Sequence, residues 1–111
     1  MISIAIRSVD KVLAAFFMIK SFSSKALERY WTKNDARGIR PEHLTKVTDR
    51  LAALNAAKSM SDLNVPGYGF HGLAGNMAGR YAVKINKNWR ITFAWDDTGS
   101  DAIDVDYLDY H

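Results

Sequence analysis

Between Arg80 and Tyr110 the chain alternates apolar and polar residues in three runs, separated by two short polar turns. Tyr81, Val83 and Ile85 alternate with Arg80, Ala82 and Lys84. Trp89, Ile91, Phe93 and Trp95 alternate with Arg90, Thr92 and Ala94. Ile103, Val105 and Tyr107 alternate with Asp104 and Asp106. A period of two is the mark of a half-buried strand. The intervening Asn86-Lys87-Asn88 and Asp96-Asp97-Thr98-Gly99-Ser100 are too short for anything but hairpin connections. The predicted product is an antiparallel meander with one apolar face. Its other face carries Arg80, Lys84 and Arg90 near Asp104 and Asp106.

An apolar sheet face needs a cover, and the preceding half of the chain supplies helices. Ile19 to Phe22 reads as a short first strand. Ser23 or Ser24 can N-cap a helix running through Lys25 to Trp31. Lys33 to Gly38 is turn-like, and Pro41 suits the first turn of a second helix. Leu44, Val47, Leu51 and Leu54 form one apolar stripe at helical spacing, with Lys46 and Arg50 expected toward solvent. His43, beside Pro41 and Glu42, reads as an exposed helix residue without a role. Helix signals fade near Asn55 to Lys58, and Asn64 to Gly69 is a loop. The fold class is α+β: two N-terminal helices packed on an antiparallel sheet.

The 111 residues suffice for one core. Residues 1–17 read as an N-terminal extension upstream of a start at Met18. They make a poor signal peptide, because Arg7, Asp10 and Lys11 sit mid-segment, and they are too short and charged to span a bilayer. No cysteine is present, which excludes a disulfide framework and a thiolate zinc site and fits a reducing compartment. Charge is unevenly placed. All 15 Lys and Arg and only six acids fall in residues 1–95, whereas six Asp crowd residues 96–111. A basic body attracts polyanions through counterion release. The acidic end either pairs with basic strands or faces an antagonist.

No Walker loop, dinucleotide-binding glycine fingerprint or HExxH is present, and histidines at 43, 71 and 111 lack metal-ligand spacing, so neither a cofactor nor a metal is expected. What remains is acid–base and cationic chemistry. His71 lies in a loop before the sheet. Tyr110 and His111 end the last strand, and Arg80 and Arg90 belong to its polar face. Two imidazoles and a guanidinium on one surface suit RNA phosphodiester cleavage. One group takes the 2′-hydroxyl proton, another protonates the leaving 5′-oxygen, and the arginine stabilises the phosphorane. The plainer roles are that His71 caps a turn and that Arg90 pairs with Asp104 or Asp106 across strands.

Four segments occur together: Met18-Ile19-Lys20-Ser21-Phe22, His71-Gly72-Leu73-Ala74-Gly75, Asn88-Trp89-Arg90-Ile91-Thr92-Phe93 and the terminal Asp109-Tyr110-His111. Their order and spacing over residues 18–111 resemble the HigB toxins, a branch of the RelE-like ribosome-dependent mRNA interferases. The resemblance implies the RelE-like toxin fold, with two helices on a twisted antiparallel sheet. It implies a cytoplasmic, metal-independent endoribonuclease that cuts mRNA in the ribosomal A site and inhibits translation and growth. It implies a HigA-like helix-turn-helix antitoxin, through which alone operator DNA would be met, and no membrane. His71, Asp109, Tyr110 and His111 match the family's catalytic residues. Arg90 matches its strand arginine, with Arg80 and Lys84 as further phosphate-binding candidates. Lys25, Arg29, Lys46 and Arg50 are candidates for gripping ribosomal RNA. One departure stands out: Ala74 falls where the family often has a lysine. The alternative reading is therefore a non-catalytic, antitoxin-binding regulator whose RNase site has decayed; a basic RNA-binding domain without a partner is a third.

Overall fold

A computed structural model describes residues 19–99 and 101–110. The proposed extension, Met18 and His111 lie outside them.

Helix α1 spans Lys25–Lys33. Its start is set by Ser24, whose side chain accepts the Leu27 N–H at 3.1 Å. Its end is set by Asn34, which turns left-handed at φ 56°. Leu27 is fully buried, and Tyr30 and Trp31, three and four residues on, pack against the same core. Pro41 opens a 3-10 turn, Pro41–His43, that runs into α2, Leu44–Ala56. Val47, Leu51 and Leu54 are the buried stripe, with Leu44 half-buried at its start.

Four strands follow: β1 (His71–Gly72), β2 (Tyr81–Lys84), β3 (Trp89–Trp95) and β4 (Ala102–Asp109). They are antiparallel neighbours in chain order, as a meander requires. The helices cover the face bearing Val83, Ile85, Ile91, Phe93 and Val105, giving the α+β class expected from the sequence.

Three local expectations are corrected. Ile19 to Phe22 makes no regular strand; Ile19 and Phe22 form single parallel bridges with Ala102 and Val105 at the edge of β4. The chain must leave that edge at once, since the Ser23 and Ser24 N–H groups both donate to the Val105 carbonyl as the cap of α1 begins. Second, Ile103 does not share a face with Val105 and Tyr107. Thr92 pairs with Asp106 but Ala94 with Ile103, so β4 carries one extra residue there. Asp104 takes φ 54° at this bulge, with its N–H on Ser21 Oγ at 2.8 Å and its carbonyl accepting from Arg80 at 2.7 Å. Third, His43 and Arg50 are not exposed: they are 3% and 8% accessible. Both are turned inward and hydrogen-bonded, as buried polar groups must be.

Candidate active site

Cross-strand partners share a face, so the register decides which candidates meet. His71 pairs with Ala82, Ala82 with Thr92, Lys84 with Arg90, and Arg90 with Leu108. His71, Arg80, Lys84 and Arg90 therefore all belong to the sheet face away from the helices. Tyr110 joins them, because the Arg90 guanidinium lies over its ring at 5.3 Å. Asp109 pairs with Trp89 and so lies on the opposite side of the pleat.

The His71 side chain is exposed, and its Nδ1 lies 2.9 Å from the Gly69 carbonyl. A carbonyl only accepts, so Nδ1 carries a proton, and in the neutral ring the lone pair is on Nε2. The loop that supplies this carbonyl is tied down from behind by Arg50 of α2. Its Nε donates to the Lys84 carbonyl at 3.0 Å and its Nη2 to the Gly67 carbonyl at 3.3 Å. Its Nη1 pairs with Asp49 at 2.9 Å, and its guanidinium lies 4.3 Å over the Tyr68 ring. The Tyr68 hydroxyl donates to Asp49 at 2.6 Å, and its carbonyl accepts the Lys84 N–H at 2.6 Å. Burial and the Asp49 carboxylate push the Tyr68 phenol up to about 12. Gly69, at φ 56°, brings the loop against the Lys84 stem; a Cβ there would stand 3.4 Å from that of Lys84.

Arg90 does not pair with Asp104 or Asp106. Its Nη1 donates to the carbonyls of Asn86 at 2.6 Å, Lys87 at 3.3 Å and Trp89 at 3.1 Å. Nε is buried without a hydrogen-bond partner among the described residues. The fork thus grips the β2–β3 turn through Nη1. Arg80 is engaged too: its Nη2 donates to Thr92 Oγ1 at 2.9 Å as well as to the Asp104 carbonyl. The acidic end pairs partly with the N-terminal segment, where Lys20 meets Asp96 at 2.7 Å and Asp101 at 3.7 Å.

Ala74 is exposed just before a 3-10 turn, Gly75–Met77, and offers no cation. Lys25 and Arg29 of α1 and Lys46 of α2 are exposed. Arg50, expected beside them on the surface, is instead the buried brace described above. His43 was given no role by sequence reasoning, yet it is bonded on both ring nitrogens. Only its place one residue after a Pro41-Glu42 helix start, adjoining the Leu44 stripe, hinted at burial.

The chain thus presents a small antiparallel sheet with an imidazole and guanidinium groups on one face and helices on the other. A chain of the YoeB–YefM complex from Staphylococcus aureus superposes with a TM-score of 0.51 at 19% identity, over 84% of this chain and 97% of that one. That likeness is one of fold. Residues 20–111 match the family model of HigB-like toxins, described as the RelE-like toxin of the type II toxin–antitoxin system HigB, and the chain belongs to that family. It is 35% identical over 94 residues to the Endoribonuclease HigB of Proteus vulgaris, covering 85% of this chain and all of that protein. It is 33% identical over 82 residues to Toxin HigB-1 of Vibrio cholerae serotype O1, covering 72% of this chain and 86% of that protein. Among the described residues no helix is long and apolar enough to cross a membrane.

Proposed function

We propose that this chain is the toxin of a type II toxin–antitoxin pair and acts as an endoribonuclease on mRNA in the ribosomal A site. The observation that carries the reading is His71. Its Nδ1 proton is committed to Gly69, so the neutral ring has its lone pair at Nε2, on the residue that shares a face with Lys84, Arg90 and Tyr110. An imidazole in that state takes the proton from a ribose 2′-hydroxyl. The 2′-oxygen then attacks phosphorus, the bond to the 5′-oxygen breaks, and a second group protonates that oxygen. His111 is the group assigned to this step, with Asp109 and Tyr110 beside it in sequence. RNA carries its own nucleophile, so the step calls on no metal. Arg90, whose guanidinium lies over Tyr110 on the face that bears His71, is the cation assigned to the scissile phosphate. Lys84 is the substitute for the lysine missing at Ala74, because its stem packs beside the glycine that holds His71.

The partner is assigned as a HigA-like helix-turn-helix antitoxin, with operator DNA met only through it and with action in the cytoplasm. The rival reading, a regulator that binds antitoxin without cutting RNA, rests on Ala74. Primer extension on a reporter mRNA in a translating extract separates the two. Ribosome-dependent cuts by the wild type, reduced about 100- to 10,000-fold in His71→Ala and in the chain shortened by His111, are expected for general acid–base catalysis. A folded wild-type protein that makes no cuts would leave the regulator.

A further inference from the structure

His43 occupies the junction of three elements. It ends the 3-10 turn before α2, and its ring packs against Trp89 of β3, with centroids 5.2 Å apart, and edge-on to Tyr107 of β4 at 5.9 Å. Its hydrogen bonds admit one arrangement of protons. The Asn86 side-chain oxygen accepts the backbone N–H groups of Asn88 and Trp89, both at 2.9 Å. That orients the amide, so its nitrogen faces His43 Nε2 at 3.0 Å. An amide nitrogen only donates, hence Nε2 accepts and the proton sits on Nδ1. Nδ1 then donates to the Tyr107 hydroxyl at 2.6 Å, whose oxygen also receives the Arg40 N–H at 3.4 Å.

The turn held in this way is the one that carries the site. The Asn86 carbonyl is the shortest contact of the Arg90 guanidinium, at 2.6 Å, and the Asn88 carbonyl accepts the Tyr110 N–H at 2.8 Å. We propose that His43 is a positioning residue of the RNA site: through Asn86 it fixes the β2–β3 turn, and with it the aim of Arg90 and the course of the chain at Tyr110. The imidazole touches neither RNA nor the reacting atoms. It acts from the helix side of the sheet, tying the turn to β4 so that the phosphate-binding fork and the C-terminal residues keep one spacing. A site must be held within about half an ångström of its productive geometry, which is what such a support provides.

This inference rests on the endoribonuclease reading for its kinetic part only. The variant His43→Phe keeps a flat ring beside Trp89 and removes both nitrogens; His43→Gln restores an acceptor toward Asn86. Tyr107→Phe removes the hydroxyl alone and serves if the first variant is unfolded. Nitrogen-15 NMR of the wild type should show His43 protonated at Nδ1. In folded His43→Phe the Arg90 Nε–H and Tyr110 amide signals should shift, and the Tyr110 amide should exchange about tenfold faster with solvent. In the ribosome assay kcat should fall about tenfold with KM little changed, and His43→Gln should recover most of it. Unmoved Arg90 and Tyr110 signals in a folded variant, or wild-type kcat there, would overturn the proposal. A wild type that cuts no RNA would sink the enzymatic reading, while the NMR comparison would still decide whether His43 sets the turn.

Discussion

Single side chains in this protein are given their chemistry by what their other atoms are doing. Arg90 is aimed because Nη1 is spent on three carbonyls of one turn, which fixes the plane of its guanidinium. A lysine cannot divide its donors in this way. Arg90→Lys should therefore lower kcat/KM by about 10- to 100-fold, the worth of a charge-assisted contact, without unfolding the protein. Steady-state cleavage kinetics check this; a lysine variant as fast as the wild type would show that the fork is not used. The candidacy of His71 and Arg90 was legible in the sequence, from residue type and from the motifs around them. Which nitrogen of His71 holds the proton was not, because the Gly69 carbonyl that decides it comes from the preceding loop.

At the level of elements, α2 does more than cover the sheet. Its apolar stripe of Val47, Leu51 and Leu54 was readable from helical spacing. Arg50 was expected in solvent because it is charged, yet it stands three residues after Val47 and four before Leu54, on the edge of that stripe. The 64–69 loop folds over that flank of the helix and turns a surface position into a buried one. Its bonds to the Lys84 and Gly67 carbonyls join α2, β2 and the loop behind His71. Arg50→Met keeps the stem, takes the guanidinium donors from two carbonyls and leaves Asp49 to the Tyr68 hydroxyl. It should cost about 2–4 kcal/mol in denaturant unfolding. A loss below about 0.5 kcal/mol would remove the brace from the account. The same cluster gives a pH signature. Tyr68 has its phenol raised to about 12 from 10.0, so the neutral form is favoured in the folded state. Its contribution is complete below pH 10 and is lost as pH rises toward 12, where only the unfolded chain ionises freely. Unfolding free energy measured from pH 9 to 12 should fall more steeply for the wild type than for Tyr68→Phe.

Over the whole molecule, basic residues occur on the sheet face and on the helices. The sheet face bears Lys84 and Arg90 with His71, while Lys25 and Arg29 of α1 and Lys46 of α2 are exposed. Phosphate contacts release counterions, so ribosome affinity should fall with salt. The triple variant Lys25→Gln, Arg29→Gln, Lys46→Gln should flatten the log–log salt slope by about 2–3. An unchanged slope would place the ribosome contact elsewhere. Arg50 is left out of that set because its guanidinium is inside. The acidic end of the chain, read as either a partner for basic strands or a face for an antagonist, is partly the former: Asp96 and Asp101 hold Lys20 beside β4.

Local pattern determined three runs of the meander, the two helices, a serine cap at 23 or 24 and the shared face of Lys84 and Arg90; His71, read as a loop residue, joins that face only through the short strand β1. Periods of two and of 3.6 and the chemistry of capping residues are written in neighbouring positions. The tertiary structure alone decided the rest. The bulge at Asp104 moved Ile103 off the face of Val105, because Arg80 and Ser21, distant in sequence, bind its backbone. His43 and Arg50 were turned inward by partners 17 to 64 residues away. Burial of a polar side chain depends on whether donors and acceptors from other elements converge on it, and no local spacing records that convergence.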